Sequence, residues 1–215
     1  MATACKTAIL ISGSGSNLQA LINAVDKGES NLELCVVFSN SPNAYGLQRA
    51  EKAGIPTACI QHSDFPDRES FDAAVIAELD RFNPELLILA GFMRILTHEF
   101  IAHYRGKILN IHPALLPLYP GLNTHQRVLD AGDEWHGSTV HFVTEQLDSG
   151  PRILQGRIAV VPGENAKELE ARVQAVEHQI YWVAADWVGS RKVQFRDGES
   201  WSKGREMIDP IIKNY

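Results

Sequence analysis

Asparagine and histidine stand two residues apart at the end of a short apolar run, Asn110 and His112 in the stretch KILNIHP. In an extended chain that spacing sends both side chains to one side of the backbone. An amide on a short stem next to an imidazole suits a carbonyl carbon becoming tetrahedral, where charge builds on oxygen and a proton must move. A second candidate lies near the start of the chain, in Gly13-Ser14-Gly15-Ser16-Asn17. These small residues precede Leu18, Leu21, Ile22 and Val25 at helical spacing, with Gly28 placed as a C-cap. A loop of this kind opens a helix whose first backbone amides have no partners of their own, and such a terminus binds phosphate. The pattern is not G-x-G-x-x-G, because Leu18 stands three after Gly15, and it lacks the lysine of a P-loop. A single phosphate group therefore fits better than a dinucleotide. A tight turn with Ser16 as helix N-cap is the alternative reading.

The rest of the chain must position these groups. Residues 7–12, 32–39, 56–60, 86–90 and 107–111 read as short strands, and 45–53 and 67–82 as helices between them. That alternation predicts a parallel α/β sheet with right-handed crossovers. Residues 86–90 (LLILA) are apolar throughout, as in a strand covered on both faces, and belong in the middle of the sheet. The turn that follows, GFMRIL at 91–96, is unusually apolar, so it either lines a cleft at the carboxyl edge or is ordinary core under a loop. Residues 107–111 deliver Asn110 and His112 to that same edge. Arg68 opens a helix, where a cation opposes the dipole, so it is either solvated or reaches an anion elsewhere. Pro113, Pro117 and Pro120 stiffen the next segment. After it come a helix at 124–131, strands at 137–143 and 153–161 joined by a turn carrying Asp148, and a long helix at 166–189 that includes Glu177. A small hairpin around Asp197-Gly198 follows, and the final IDPIIKNY reads as loosely held.

Whole-chain numbers limit the function. The 215 residues suffice for a sizeable core in one domain, 1–189, with 190–215 as a hairpin and tail packed on it. Twenty Lys and Arg against 26 Asp and Glu give a formal charge of -6, which disfavours binding to a nucleic-acid backbone. Cys5, Cys35 and Cys59 are odd in number and widely spaced, which indicates neither a disulfide framework nor a zinc site but a reduced, cytoplasmic protein. The first residues lack a signal-peptide pattern, and no apolar run approaches the roughly 20 residues of a membrane helix.

The segments GSGSNLQALI, VFSN, AGFMRIL, LNIHPALLP, YPG, HGSTVHFV and LDSGPRILQ, in this order, closely resemble the phosphoribosylglycinamide formyltransferase family. The likeness runs from about residue 8 to 187. It implies a single-domain formyltransferase fold, a Rossmann-like and mostly parallel seven-stranded sheet flanked by helices. It also implies transfer of a formyl group from 10-formyltetrahydrofolate, as co-substrate and without a metal, to the amine of glycinamide ribonucleotide in purine biosynthesis. Carried over by position, the resemblance makes Asn110, His112 and Asp148 the catalytic trio, and gives Gly15, Ser16, Asn17 and Glu177 to glycinamide ribonucleotide. It gives Arg68, Met93, Arg94, Ile95 and Leu96 to the folate, together with Asn110. Ala114 departs from the serine often found after His-Pro in this family. Small molecules are the partners implied, with the chain a monomer or homodimer and neither nucleic acid nor membrane involved. N-I-H-P-x-L-L-P with a downstream D-x-G-P is shared with folate hydrolases, for which an added regulatory domain is expected, and with methionyl-tRNA formyltransferases, for which an RNA-binding domain is expected. From a different class, a non-catalytic nucleotide-binding module would use the first loop and leave the polar trio idle.

Overall fold

The computed structural model describes residues 4–215. Its first strand, β1 (Cys5–Ile11), shows how the layers form. Ala8 and Leu10 are buried against one layer, and Cys5, Ile9 and Ile11 against the other, the period-2 alternation of a strand covered on both faces. On one face lie α1 (Ser16–Asp26), α2 (Tyr45–Lys52), α5 (Thr124–Ala131) and α6 (Ala166–Gly189), and on the other α3 (Arg68–Asp80) and α4 (His98–His103).

The remaining strands of the main sheet are β2 (Leu32–Ser39), β3 (Thr57–Cys59), β4 (Leu86–Leu89), β5 (Ile108–His112), β6 (Trp135–Phe142), β7 (Arg152–Ala159) and β11 (Ile211–Asn214). Their order is β11-β7-β6-β5-β4-β1-β2-β3, and β6 alone runs against its neighbours. The sheet thus has eight strands rather than the expected seven. The addition is the C-terminal segment, read from sequence as loosely held. It lies parallel on the β7 edge, Ile211 opposite Leu154 and Asn214 opposite Arg157, and Tyr215 N–H donates to the Arg157 carbonyl at 3.0 Å. Backbone pairing on an open edge carries this strand, and Ile211 and Ile212 stay about half exposed, so no buried alternation announces it.

Between α6 and β11 the expected hairpin forms and gains a third strand. Here β8 (Val193–Arg196), β9 (Glu199–Ser202) and β10 (Arg205–Glu206) pair antiparallel. Phe195 anchors it to the main sheet, edge-on to Phe142 with ring centroids 5.4 Å apart.

Local signals fix the helices that carry the site. Asn165 and Glu168 make a reciprocal capping box at the start of α6, and Leu169, Val173, Val176 and Ile180 bury one stripe of that helix. Thr97 caps α4 by accepting from Phe100 N–H, and Asp67 caps α3 by accepting from Ser70 N–H. None of the helices among the described residues is long and apolar enough to cross a membrane, and all three cysteines are free.

Candidate active site

The carboxyl edge of the sheet carries two clefts, one on each side of the end of β5. The larger, about 330 Å³, is lined by the loop 12–17, by Met93, Pro113 and His125, and by Gln174 and Glu177 of α6. The smaller, about 150 Å³, lies between the loop after β4 and the connection from β6 to β7, with Asn110, His141 and Asp148 at its floor. Ile111 lines the first and Asn110 the second, as alternation along β5 requires.

In the larger cleft Gly15 makes the turn into α1. Its φ is +69°, and a Cβ there would lie 2.7 Å from the Cα of Gly46, so the position needs glycine both for conformation and for space. Gly15, not Ser16, is the residue at the N-cap, and no side chain caps this helix. Its first amides are therefore open to an acceptor from outside the helix. Asn17 is mostly buried and donates through Nδ2 to Glu177 Oε2 at 2.9 Å. Ser138 Oγ lies 3.1 Å from the other Glu177 oxygen and 2.7 Å from the carbonyl of His112, so β6 ties this carboxylate to the end of β5. Burial pushes the Glu177 carboxyl up from its ordinary range, and the bonds from Asn17 and Ser138 partly offset this. Asn17 Oδ1 is left buried without a donor, an unpaired acceptor on a residue that lines this cleft.

At the junction, His112 is held at both ring nitrogens. Nε2 donates to the carbonyl of Tyr119 at 2.9 Å, and Nδ1 lies 3.4 Å from Asp148 Oδ2. Asp148 sits in left-handed backbone, φ +51°, where Asn and Asp are the favoured non-glycine residues. Its side chain is only 7% exposed, and Gly121 N–H donates to Oδ2 at 2.9 Å. Asn110 Nδ2 donates to His141 Nε2 at 3.3 Å, while His141 Nδ1 donates to the Phe142 carbonyl at 2.8 Å. The second bond fixes the tautomer, and burial holds His141 neutral by pushing its pKa down to about 4. The neutral ring orients the amide of Asn110 and leaves one of its N–H groups for the cleft.

One wall of the smaller cleft is apolar, with Phe92, Ile95, Leu96 and Ile101, and Thr144, Glu145 and Gln146 line the opposite side. Arg94 reaches in from the rim, its guanidinium carbon 5.0 Å from the ring centre of Phe71, with Nε buried and unpartnered. The run 93–96 is therefore divided, because Arg94, Ile95 and Leu96 line the smaller cleft and Met93 the larger. Arg68 lies at the start of α3 and lines neither. Among the described residues no group of three or more His, Cys, Asp or Glu is arranged to hold a metal ion.

The sequence profile described as "Formyl transferase" matches residues 5–185, which span both clefts and all of the residues just placed. The chain belongs to this formyl transferase family. It is similar to the phosphoribosylglycinamide formyltransferase of Escherichia coli (strain K12), with 46% identity over 199 residues that cover 93% of this chain and 94% of that protein. Residues of the trifunctional purine biosynthetic protein adenosine-3 of Gallus gallus match at 47% identity over 88% of this chain and 19% of that longer protein. Among solved structures, the phosphoribosylglycinamide formyltransferase of Coxiella burnetii in complex with CHES superposes with a TM-score of 0.91 at 42% identity, covering 96% of this chain and 99% of that one. The family's fold and the alternation of elements read from sequence thus coincide. A folate-type formyl donor follows from membership.

Several residues around these clefts carry no signal in the local sequence pattern. His141 lies in β6, and its partnership with Asn110 depends on the antiparallel register of β5 and β6. The backbone groups of Tyr119 and Gly121 carry no side-chain signal at all, although the prolines at 113, 117 and 120 mark the segment as rigid. His125 lines the larger cleft and bonds to buried His136 at 3.0 Å, and burial lowers both rings, His136 to about 4.

Proposed function

We propose that this chain transfers the formyl group of 10-formyltetrahydrofolate to the amine of N1-(5-phosphoribosyl)glycinamide, in purine biosynthesis, giving formylglycinamide ribonucleotide and tetrahydrofolate. The observation that carries this reading is the pair of clefts on either side of the end of β5, one with an open helix terminus and the other lined by Asn110 and by Asp148, which contacts His112. The phosphate of the acceptor is met by the first amides of α1 at Gly15, Ser16 and Asn17. Asn17 and Glu177 are bonded to each other, so they act as a unit, with Asn17 Oδ1 accepting from a hydroxyl of the acceptor. The pterin enters between Leu96, Ile95 and Arg94, whose free Nε suits its polar edge. The remainder of the folate extends past exposed Ile95 toward solvent.

In the reaction the amine lone pair forms a bond to the formyl carbon, and the carbonyl pair moves onto oxygen. The free N–H of Asn110 and the Nδ1–H of His112 donate to that oxyanion, and losing one such donor costs roughly 10²–10³ in rate. Collapse breaks the bond to the folate nitrogen. Asp148 takes the proton released by the attacking amine, directly or through water, and returns it to the departing nitrogen. Tetrahydrofolate release measured with both substrates, and with each alone, tests the assignment. Release that requires the amine is expected, and equal release without it would make the chain a folate hydrolase.

A further inference from the structure

A cleft of about 440 Å³ opens at the far end of α6, against the three-stranded sheet. Trp187, Arg191, Lys192, Arg196, Trp201 and Lys203 line it, and every ionisable side chain in its lining is a cation, in a chain of formal charge -6. Lys192 alone among these has an acidic partner, Asp186 at 3.5 Å. Arg196 bonds only the neutral amide of Gln194, and among the described residues Arg191 and Lys203 make no ion pair. Outside the lining, Lys213 places its Nζ 6.0 Å from the ring centre of Trp187.

The backbone supports these cations at a cost. Arg191 has φ +60° and Lys203 φ +50°, conformations that favour Gly, Asn and Asp. The neighbouring turn at Asp197-Gly198 carries the usual residue, aspartate, at φ +52°, whereas the turn at the cleft carries lysine before Gly204. Two partly exposed indoles between such cations combine a surface for a planar ring with groups for phosphate oxygens.

We propose that this cleft is a second, non-catalytic site that binds a nucleoside polyphosphate, its base against the tryptophans and its phosphates among Arg191, Arg196 and Lys203. The volume falls within the range of small-ligand sites. The cations are gathered in one cleft of an acidic chain, which favours a compact anion over an extended nucleic-acid backbone. The site is about 15 Å along α6 from Glu177 by helical rise, so it stands apart from the catalytic reading and does not depend on it.

Equilibrium dialysis of the full chain against ATP tests the proposal. One equivalent should bind with a Kd below about 1 mM, and adenosine and inorganic tripolyphosphate should each bind at least about tenfold more weakly. Arg191→Gly with Lys203→Gly removes two cations and supplies the residue the backbone favours, so the variant should fold, keep its formyl transfer, and lose at least about tenfold in ATP affinity. Tripolyphosphate binding as tightly as ATP would reduce the cleft to an anion patch and overturn the proposal. Tighter binding of a single-stranded oligonucleotide would overturn it in favour of a polymer. Binding that survives the double substitution but is lost in Asn17→Asp would place ATP at the phosphate loop, and no binding at all would end the idea.

Discussion

On the larger cleft, side chains 160 residues apart lock together, Asn17 on α1 to Glu177 on α6, and Ser138 on β6 closes the group. On the smaller cleft much of the wall comes from two loops, and the side chains of Ile95 and Leu147 project 62% and 60% exposed. One wall is held by buried polar bonds and the other presents exposed apolar side chains. The difference matches the chemistry of the substrates, since a phosphorylated acceptor needs aimed polar groups and a flat donor needs apolar area that can close. Between them stands the junction of Asn110, His112 and Asp148, which must be rigid relative to both.

Substitutions at the three places should separate these roles. The largest effect is expected at the junction, where His112→Ala should lower kcat by about 10³ while both substrates still bind. A matching rise in both KM values with kcat intact would move His112 out of the chemistry and into binding. On the fixed wall, Asn17→Asp sets a second carboxylate against buried Glu177. Acceptor KM should rise by at least about tenfold and stability fall by about 1–3 kcal/mol, with donor KM unchanged. Unchanged acceptor KM would remove the polar lock from recognition.

Acid should weaken the fold through histidines that burial keeps neutral. His136 and His141 titrate near 4 in the folded chain and near 6.5 when unfolded, so the unfolded state takes up their protons first as pH falls. Stability should therefore decline between about pH 6.5 and 4, by up to about 3 kcal/mol for each ring. Glu177 and Asp72, whose carboxyls burial pushes up, work in the opposite direction. Urea denaturation across that range should show a smaller decline in His136→Gln, and an identical one would exclude this ring as a source. The smallest effect is expected on the exposed apolar wall, where Ile95→Ala should raise donor KM roughly fivefold, about 1 kcal/mol of apolar contact, and leave thermal stability unchanged. A change in stability would show that wall to be core.

The same contrast decides what the sequence could reveal. Parallel α/β order, the buried β4, and Asn110 with His112 on one side of β5 all follow from local periodicity, and the structure keeps them. The glycine-serine loop was legible because Gly15 serves both a turn and a close approach to Gly46. His141 against Asn110, Asn17 against Glu177, and the Tyr119 carbonyl on His112 depend on register and on loop paths, which no local pattern records. Strand β11 was missed for a related reason, because an edge strand held by backbone pairing needs no apolar alternation.

The proposed proton carrier in formyl transfer is the carboxylate beside His112. Single-turnover formyl transfer by Asp148→Asn, with 10-formyltetrahydrofolate and the glycinamide acceptor both saturating, tests it most directly. The amide can still accept from Gly121 N–H but takes no proton, so the rate should fall by a hundredfold or more, on the order of a lost general base, with both ligands bound as before. A rate within about threefold of the parent would contradict the role given to Asp148 and the mechanism built around it.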